Sequence, residues 1–346
     1  MFLNVVKDKI LYFRCMQQLL RKIAFPFSLI YALVVYVRNL LYDIGFFKSI
    51  TYKTPTVCVG NLSVGGTGKT PMIEYLIRLM GEKEVAVLSR GYKRRSKGFL
   101  VATQNCSVED LGDEPFQLYK KFPQITIAVD SDRRNGIEQL QNGIKPEVIL
   151  LDDAFQHRRV KPSFSILLTA YDNLFFNDWY LPTGNLRDSK LEKKRADIII
   201  VTKCPESLLK DERTSIYKRL KPTKNQKVLF CSLKYANVFK NAKGTIELSV
   251  LKSEKIALVT GIASPKPLVS HLKGLDVEFK HFEFSDHHYF SNKEIDQFRD
   301  FNIILTTEKD YVRLEGRVEN VYYLEVAHHF SDEDHSVLER SVMDLI

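Results

Sequence analysis

From residue 54 onward, short β-branched and aliphatic runs alternate with longer stretches of helical periodicity, the rhythm of a parallel sheet wrapped by helices. Strands are predicted at 56–59, 85–88, 125–129, 148–151, 165–169 and 198–202. That many strands within one stretch of chain predict a single doubly wound α/β domain over 54–226. A polar, lysine-rich helical stretch then leads to β-type runs at 227–233 and 245–248, separated by a turn-like region with Asn241 and Gly244. These predict a β-ribbon linker over 227–250. Further strands at 255–259, 277–282 and 303–307 imply a second, smaller α/β domain over 251–330, and 331–346 reads as an acidic amphipathic helix.

The segment before residue 54 follows a different pattern. Its run IAFPFSLIYALVVYV, 23–37, is the most apolar in the chain and is bounded by Arg21, Lys22 and Arg38. At a helical rise of about 1.5 Å per residue the run reaches roughly 22 Å, short of the ~30 Å hydrocarbon core of a bilayer, which favours an interfacial helix over a simple span. Pro26 suits a first helical turn, and Phe25, Phe27, Tyr31, Tyr36 and Tyr42 with basic flanks are what a monotopic anchor uses. The run starts late and continues into RNLLYDIGFF, so no secretion signal is expected. Residues 1–53 are therefore read as a membrane-associating helical arm, although buried core helices share this pattern.

Composition narrows the classes. A chain of 346 residues, 45% hydrophobic and 27% charged, is too long and too apolar for a disordered segment. Its five cysteines have no Cys-x-x-Cys spacing and no neighbouring His pair, which argues against a disulfide framework or a structural zinc site and for a reducing compartment. A formal charge of +9 leaves anionic lipid, nucleic acid and phosphorylated small molecules open. The basic residues of the arm surround an apolar helix, not an aromatic-interleaved groove, so nucleic acid is not expected as a partner.

The sharpest chemical signal is TVCVGNLSVGGTGKTP, 56–71, where an apolar strand runs into a glycine-rich turn and then a helix. Gly65, Gly66 and Gly68 allow backbone amides to approach phosphate oxygens, Lys69 supplies charge, and Thr70 offers a hydroxyl to Mg²⁺. Ser63, Val64 and Thr67 complete the loop. Ser63 stands where the strict phosphate-loop pattern has glycine, so the loop is a variant form. A second signal is EVILLDDAFQHRR, 147–159, in which four apolar residues end in Asp152 and Asp153. Carboxylates at the end of a buried parallel strand lie beside the nucleotide crevice, where they bind Mg²⁺ directly or through water. Lys93, Arg94, Arg95, Arg133 and Arg134 are further candidates for phosphate contact, although exposed basic pairs are more often a solvated face.

The segments SRGYKRR (89–95), LGDEP (111–115), DDAFQHR (152–158), LPTGNLRD (181–188), TGIASP (260–265), FSDHHYF (284–290) and TTEKDYVRL (306–314) resemble, in order, those of the tetraacyldisaccharide 4'-kinase family. The resemblance implies a P-loop NTPase-like parallel sheet wrapped by helices. It also implies transfer of the γ-phosphoryl group of ATP, with Mg²⁺, to the 4'-hydroxyl of a tetraacylated glucosamine disaccharide 1-phosphate, the precursor of lipid A. The site expected from it is peripheral, on the cytoplasmic face of the inner membrane. Asp113 matches the family's catalytic aspartate and His287, or else the adjacent His288, its partner. Arg187 matches an arginine expected to steady phosphate or Mg²⁺ ligation, whereas Asp188 stands where the family usually has Glu. A carboxylate held against an imidazole is also a sensible acceptor for the proton of a sugar hydroxyl. The rival reading is a membrane-peripheral nucleotide switch, which has no use for such a pair.

Overall fold

A computed structural model describes residue 16 and residues 19–346. The rest of the amino-terminal arm lies outside the described residues. Helix α1 is Phe25–Asp43. The first half then runs β1 (Thr56–Asn61), α2 (Lys69–Met80), β2 (Val85–Ser89), β3 (Leu100–Val101), α3 (Val108–Leu111), α4 (Asp113–Lys121), β4 (Thr126–Val129), α5 (Arg133–Gly143), β5 (Val148–Asp152), β6 (Phe164–Ala170), β7 (Ile198–Cys204) and α6 (Lys210–Leu220). The second runs β8 (Lys227–Asn241), β9 (Gly244–Glu247), α7 (Leu248–Leu251), β10 (Ile256–Thr260), α8 (Lys266–Gly274), β11 (Lys280–Glu283), α9 (Asn292–Phe298), β12 (Ile303–Thr307), α10 (Glu308–Leu314), β13 (Val321–Phe330) and α11 (Asp332–Met343).

All strands join one sheet in the order β11-β10-β12-β13-β8-β7-β6-β1-β5-β2-β4-β3, with β9 paired to β8. The central strands are parallel; β1, β2 and β5 are buried along their whole length and β7 at all but Lys203, as their continuous apolar runs require when both faces are covered. Alternate residues feed opposite cores: Val57 and Val59 pack with Met72, Leu76 and Leu150, while Cys58 packs with Leu88, Leu151 and Phe155 on the other face. The strand following β5 in the sheet path is β1, which also pairs β6, so the loops after β1 and β5 leave adjacent strand ends together.

The predicted ribbon takes another form. β9 pairs only the far end of β8, Val238 to Asn241. The long antiparallel partner of β8 is β13, whose pairing from Tyr323↔Lys240 to Phe330↔Cys231 stitches the halves together. That strand was not predicted, although VYYLEV between Asn320 and Ser331 carries the aromatic and β-branched composition of one. The acidic tail folds as predicted into a helix, with Ser331 as its N-cap accepting from the Asp334 amide at 3.3 Å. Its Leu338 and Val342 pack back on the core of the first half.

In α1 the usual arrangement is inverted. Its buried residues are Ser28, Val35 and Asn39, whereas Phe27, Ile30, Leu33, Val34 and Tyr36 are more than half exposed. Hydrogen bonds hold the polar face along its length: the Ser28 hydroxyl donates to the Tyr180 carbonyl (3.1 Å), Tyr31 to the Arg187 carbonyl (3.1 Å), and Asn39 to Asp188 (2.7 Å). Arg158 closes the far end with Asp43 at 2.6 Å. The helix has 19 residues, so it is longer than the apolar run alone and meets the length and composition of a membrane-crossing segment.

Candidate functional site

The turn between β1 and α2 is shaped by two glycines with positive φ, Gly65 at 112° and Gly68 at 87°, a region closed to most side chains. Around it, side chains fix the loop rather than leave it free. Asn61 donates to the Thr67 hydroxyl (2.9 Å), Thr202 of β7 to the Thr67 carbonyl (2.8 Å), and the Asn185 carbonyl accepts from the Val64 amide (2.7 Å). From β13, His328 Nε2 lies 2.9 Å from the Gly68 carbonyl. Burial pushes this imidazole down to about 4, so it is neutral and donates there. A Cβ on Gly68 would come within 2.8 Å of the same ring.

Lys69 and Thr70 open α2, where the first-turn amides have no intrahelical acceptor and Pro71 lacks a donor at no cost. The combination of unpaired amides, helix dipole and lysine charge is suited to a phosphate group. A cavity of about 240 Å³ adjoins the turn, lined by Ser63, Gly65, Gly66, Asp172, Lys203 and, from the second half, Ala263, Ser264 and Pro267. A larger hollow of about 720 Å³ between β10, β11 and α9 contains none of the candidate residues.

Asp152 ends β5 and Asp153 opens the turn after it, beside Lys69, and their environments differ. Asp152 is buried; the Ser89 hydroxyl donates to its Oδ2 at 3.0 Å, and its Oδ1 has no partner. Burial, with the nearby charges of Glu114 and Asp153, pushes this carboxyl up to about 7. Burial acts in the same direction on Asp153, but Lys69, 3.8 Å away, and the guanidinium of Arg187 outweigh it and hold the carboxyl at about 2. Arg187 bridges Asp153 and the side chain of Asn61. A buried carboxylate oxygen lacking any donor, beside a second acid, fits a hard divalent cation. Among the described residues no cluster of three or more His, Cys, Asp or Glu side chains forms a cage by itself. That suits Mg²⁺, which takes few carboxylates and completes its shell with phosphate and water.

Asp113 and His287, separated by 174 positions, meet at 2.6 Å between Oδ2 and Nδ1. Asp113 is the first residue of α4, after Gly112 with φ 87°, and is buried. Burial alone would raise its carboxyl, but His287 and Arg313 together bring it below the usual carboxylate range. His287 follows β11 with φ 60°; its amide donates to the Gly261 carbonyl (3.1 Å), its ring packs on Tyr92, and its Nε2 lies 3.0 Å from Lys309 Nζ. His288 takes a different partner, Glu294, at 3.1 Å.

Two residues of α10 were not singled out from sequence. Arg313, buried, grips both oxygens of Asp113, with Nε donating at 2.6 Å to Oδ1. Lys309 reaches His287, Asp286 (3.0 Å) and Glu114 (3.6 Å). Both lie in TTEKDYVRL, and their helical spacing of four, which places them on one face, was the available signal. Asp188 turns toward α1 and Asn39. The basic pairs are engaged with protein groups: Arg133 is buried and donates to the Asp130 and Asp152 carbonyls, whereas Arg134 pairs with Asp132, the exposed Arg95 with Glu109, and Arg94 donates to the Gly98 carbonyl.

The architecture has close relatives. The crystal structure of LpxK from Aquifex aeolicus in complex with ATP superposes with a TM-score of 0.76 over 94% of this chain and 99% of that one, at 31% identity. A tetraacyldisaccharide 4'-kinase of Flavobacterium johnsoniae is 49% identical over 315 residues, covering 89% of this chain and 92% of that protein. One from Bacteroides thetaiotaomicron is 48% identical, covering 85% and 83%. The profile of the tetraacyldisaccharide-1-P 4'-kinase family matches residues 20–343, and with these identities over nearly the whole length the chain belongs to that family.

Proposed function

We propose that this enzyme transfers the γ-phosphoryl group of ATP to the 4'-hydroxyl of a tetraacyldisaccharide 1-phosphate, using a site shared between 54–226 and 251–330. The observation that carries this reading is the Asp113–His287 contact, contributed by both halves of the chain. A nucleotide switch needs the phosphate loop but not an acceptor-activating pair.

Lys69 and the amides of the loop face the β and γ phosphates, and the cavity beside Gly66 and Lys203 seats the nucleoside end. Thr70, Asp152 and Asp153 are the residues that would hold Mg²⁺, which would supply neutralisation of phosphate charge. The unpartnered Oδ1 of Asp152 is the oxygen such a cation would use. Arg187 orients Asp153. As the 4'-oxygen bonds to the γ-phosphorus, the bond to the β,γ-bridging oxygen breaks, ADP leaves, and the hydroxyl proton passes to the Asp113–His287 pair. Placement and charge carry most of the acceleration.

The exposed apolar face of α1 supports a seat in the cytoplasmic leaflet of the inner membrane, where a four-chain lipid is held. Because Ser28, Tyr31 and Asn39 are bonded to the protein along the helix, α1 lies along the surface with its outer face in the lipid. Replacing Ile30 and Leu33 by Glu is expected to abolish flotation with anionic vesicles and to leave soluble ATP binding unchanged; undiminished flotation would remove α1 as the anchor.

The function itself is tested by incubating the protein with γ-labelled ATP, Mg²⁺ and the disaccharide 1-phosphate in detergent, then separating lipids. Label in a bisphosphorylated lipid is the expected result. Label released only as inorganic phosphate favours the switch.

A further inference from the structure

The α4–α10 contact is a pair of short helices joined by charge at both ends. At one end Arg313 of α10 holds Asp113 of α4. At the other, Lys121 of α4 is buried among Glu308 of α10 (2.6 Å), Glu74 of α2 (2.7 Å) and Glu325 of β13 (3.3 Å). Lys309 meets Glu114 between them. The pairs run across the boundary between the halves, so the seating of α10 sets where the Asp113 carboxylate points.

We infer that Arg313 is a positioning residue for phosphoryl transfer: its guanidinium fork fixes the orientation of Asp113 toward His287, without touching ATP or the lipid. The inference rests on the reading of Asp113 and His287 as the acceptor-activating pair. Two observations support it. First, a planar fork from Nε and a terminal nitrogen onto both carboxylate oxygens removes rotation about the carboxyl axis. Second, the remaining terminal nitrogen donates at 2.6 Å to the His288 carbonyl, so the same group also pins the backbone that carries His287. One side chain thus holds both members of the pair at their 2.6 Å separation.

The charge matters as well as the shape. The charged and titratable groups in contact with Asp113 are His287 from the loop after β11 and Arg313 from α10; around them, Asp286 and Lys309 flank His287, and Glu114 of its own helix pairs with Lys309. Arg313 is the cation in direct contact with both oxygens, and burial opposes ionisation. Removing it raises the carboxyl, and a base that must be deprotonated then loses activity at a higher pH. The acidic limb of the kcat/KM profile therefore moves upward.

The test uses the full-length enzyme in detergent, with turnover normalised to the folded fraction from a thermal melt. R313M is expected to lower kcat by about 10- to 100-fold, with KM for ATP within twofold, and to shift the acidic limb to higher pH. R313K keeps the charge but not the fork; it is expected to fold, to lose about tenfold in kcat, and to leave the limb in place. In a D113N background, R313K should cost nothing further. Wild-type turnover in R313K, or an equal loss with and without Asp113, overturns the inference. Full activity of D113N alone would instead overturn the reading of the pair.

Discussion

Replacing Lys69 by Met is expected to lower kcat/KM for ATP by about 10² to 10³-fold, the usual effect of removing one preorganised charge from a site that stabilises developing negative charge. Lys69 is the first residue of α2, carried to the end of the sheet by the left-handed turn at Gly68. The amides of the turn have fixed positions, because Asn61, Thr202 and His328 brace it from three sides. The lysine therefore adds a full charge where dipoles already point. Folding should be little affected. The Lys69–Asp153 pair is long at 3.8 Å and partly exposed, and such pairs contribute about 0–1 kcal/mol. Arg187 remains to hold Asp153, whose carboxyl would rise from about 2 but stay ionised at pH 7. The result to look for is a large kinetic loss with a melting temperature within a degree or two of the parent. Turnover retained within threefold would mean that the loop does not seat the transferred phosphate.

The parts of this molecule legible in the sequence are those whose signals are local. β1, β5 and β7 are apolar on both faces, so they appear as continuous runs, and the Gly-Lys-Thr turn follows directly from β1. Asp152 and Asp153 fall at a strand end by counting alone. β13 was missed because its role is long-range: Val321 to Leu324 pair β12 in parallel, Tyr323 to Phe330 pair β8 antiparallel, and its polar positions Glu325 and His328 face Lys121 and the phosphate loop. No pattern along ten residues reports a neighbour 260 positions away. The Asp113–His287 pairing came from resemblance, not periodicity, since neither a helix-opening Asp nor a His-His step specifies a partner. Arg313 illustrates the limit most clearly. In sequence it is an ordinary basic residue near a helix end, whose expected place is solvent; in the fold it is buried because Asp113 neutralises it.

His328 and α1 show two further ways in which context overrides pattern. A histidine on a half-polar strand reads as surface, but Cys231 at 3.3 Å and the Gly68 carbonyl occupy both its nitrogens, making it a strut between β13 and the phosphate loop. In α1 the apolar residues mark the outside. Hydrophobicity located the helix correctly, while the buried side was defined by Ser28 and Asn39, which find acceptors in loops far along the chain.

Replacing Asp113 by Asn is expected to reduce kcat by about 10² to 10⁴-fold while KM for ATP changes little, the range for a lost general base. Asn is preferred to Ala because it keeps the shape of the group between His287 and Arg313. Even so, stability should fall. The buried Arg313 guanidinium loses its counter-charge, and breaking a buried pair from one side costs about 3–5 kcal/mol when nothing replaces the partner. Asn retains one acceptor, so a smaller loss is expected. The pH dependence identifies the cause. Asp113 is held below its ordinary 3.8 in the folded state, so its contribution is present above that value and disappears as the pH falls through the lower, folded one. The gap in melting temperature between parent and D113N should therefore be full at pH 7 and close in acid below about pH 4. Replacing His287 by Ala should give a kinetic loss of similar size, and the double variant should be no worse than the poorer single, because two groups that handle one proton act as a unit. Independent, multiplying losses would show that Asp113 and His287 serve separate steps, and the reading of their 2.6 Å contact as one proton-accepting device would be lost.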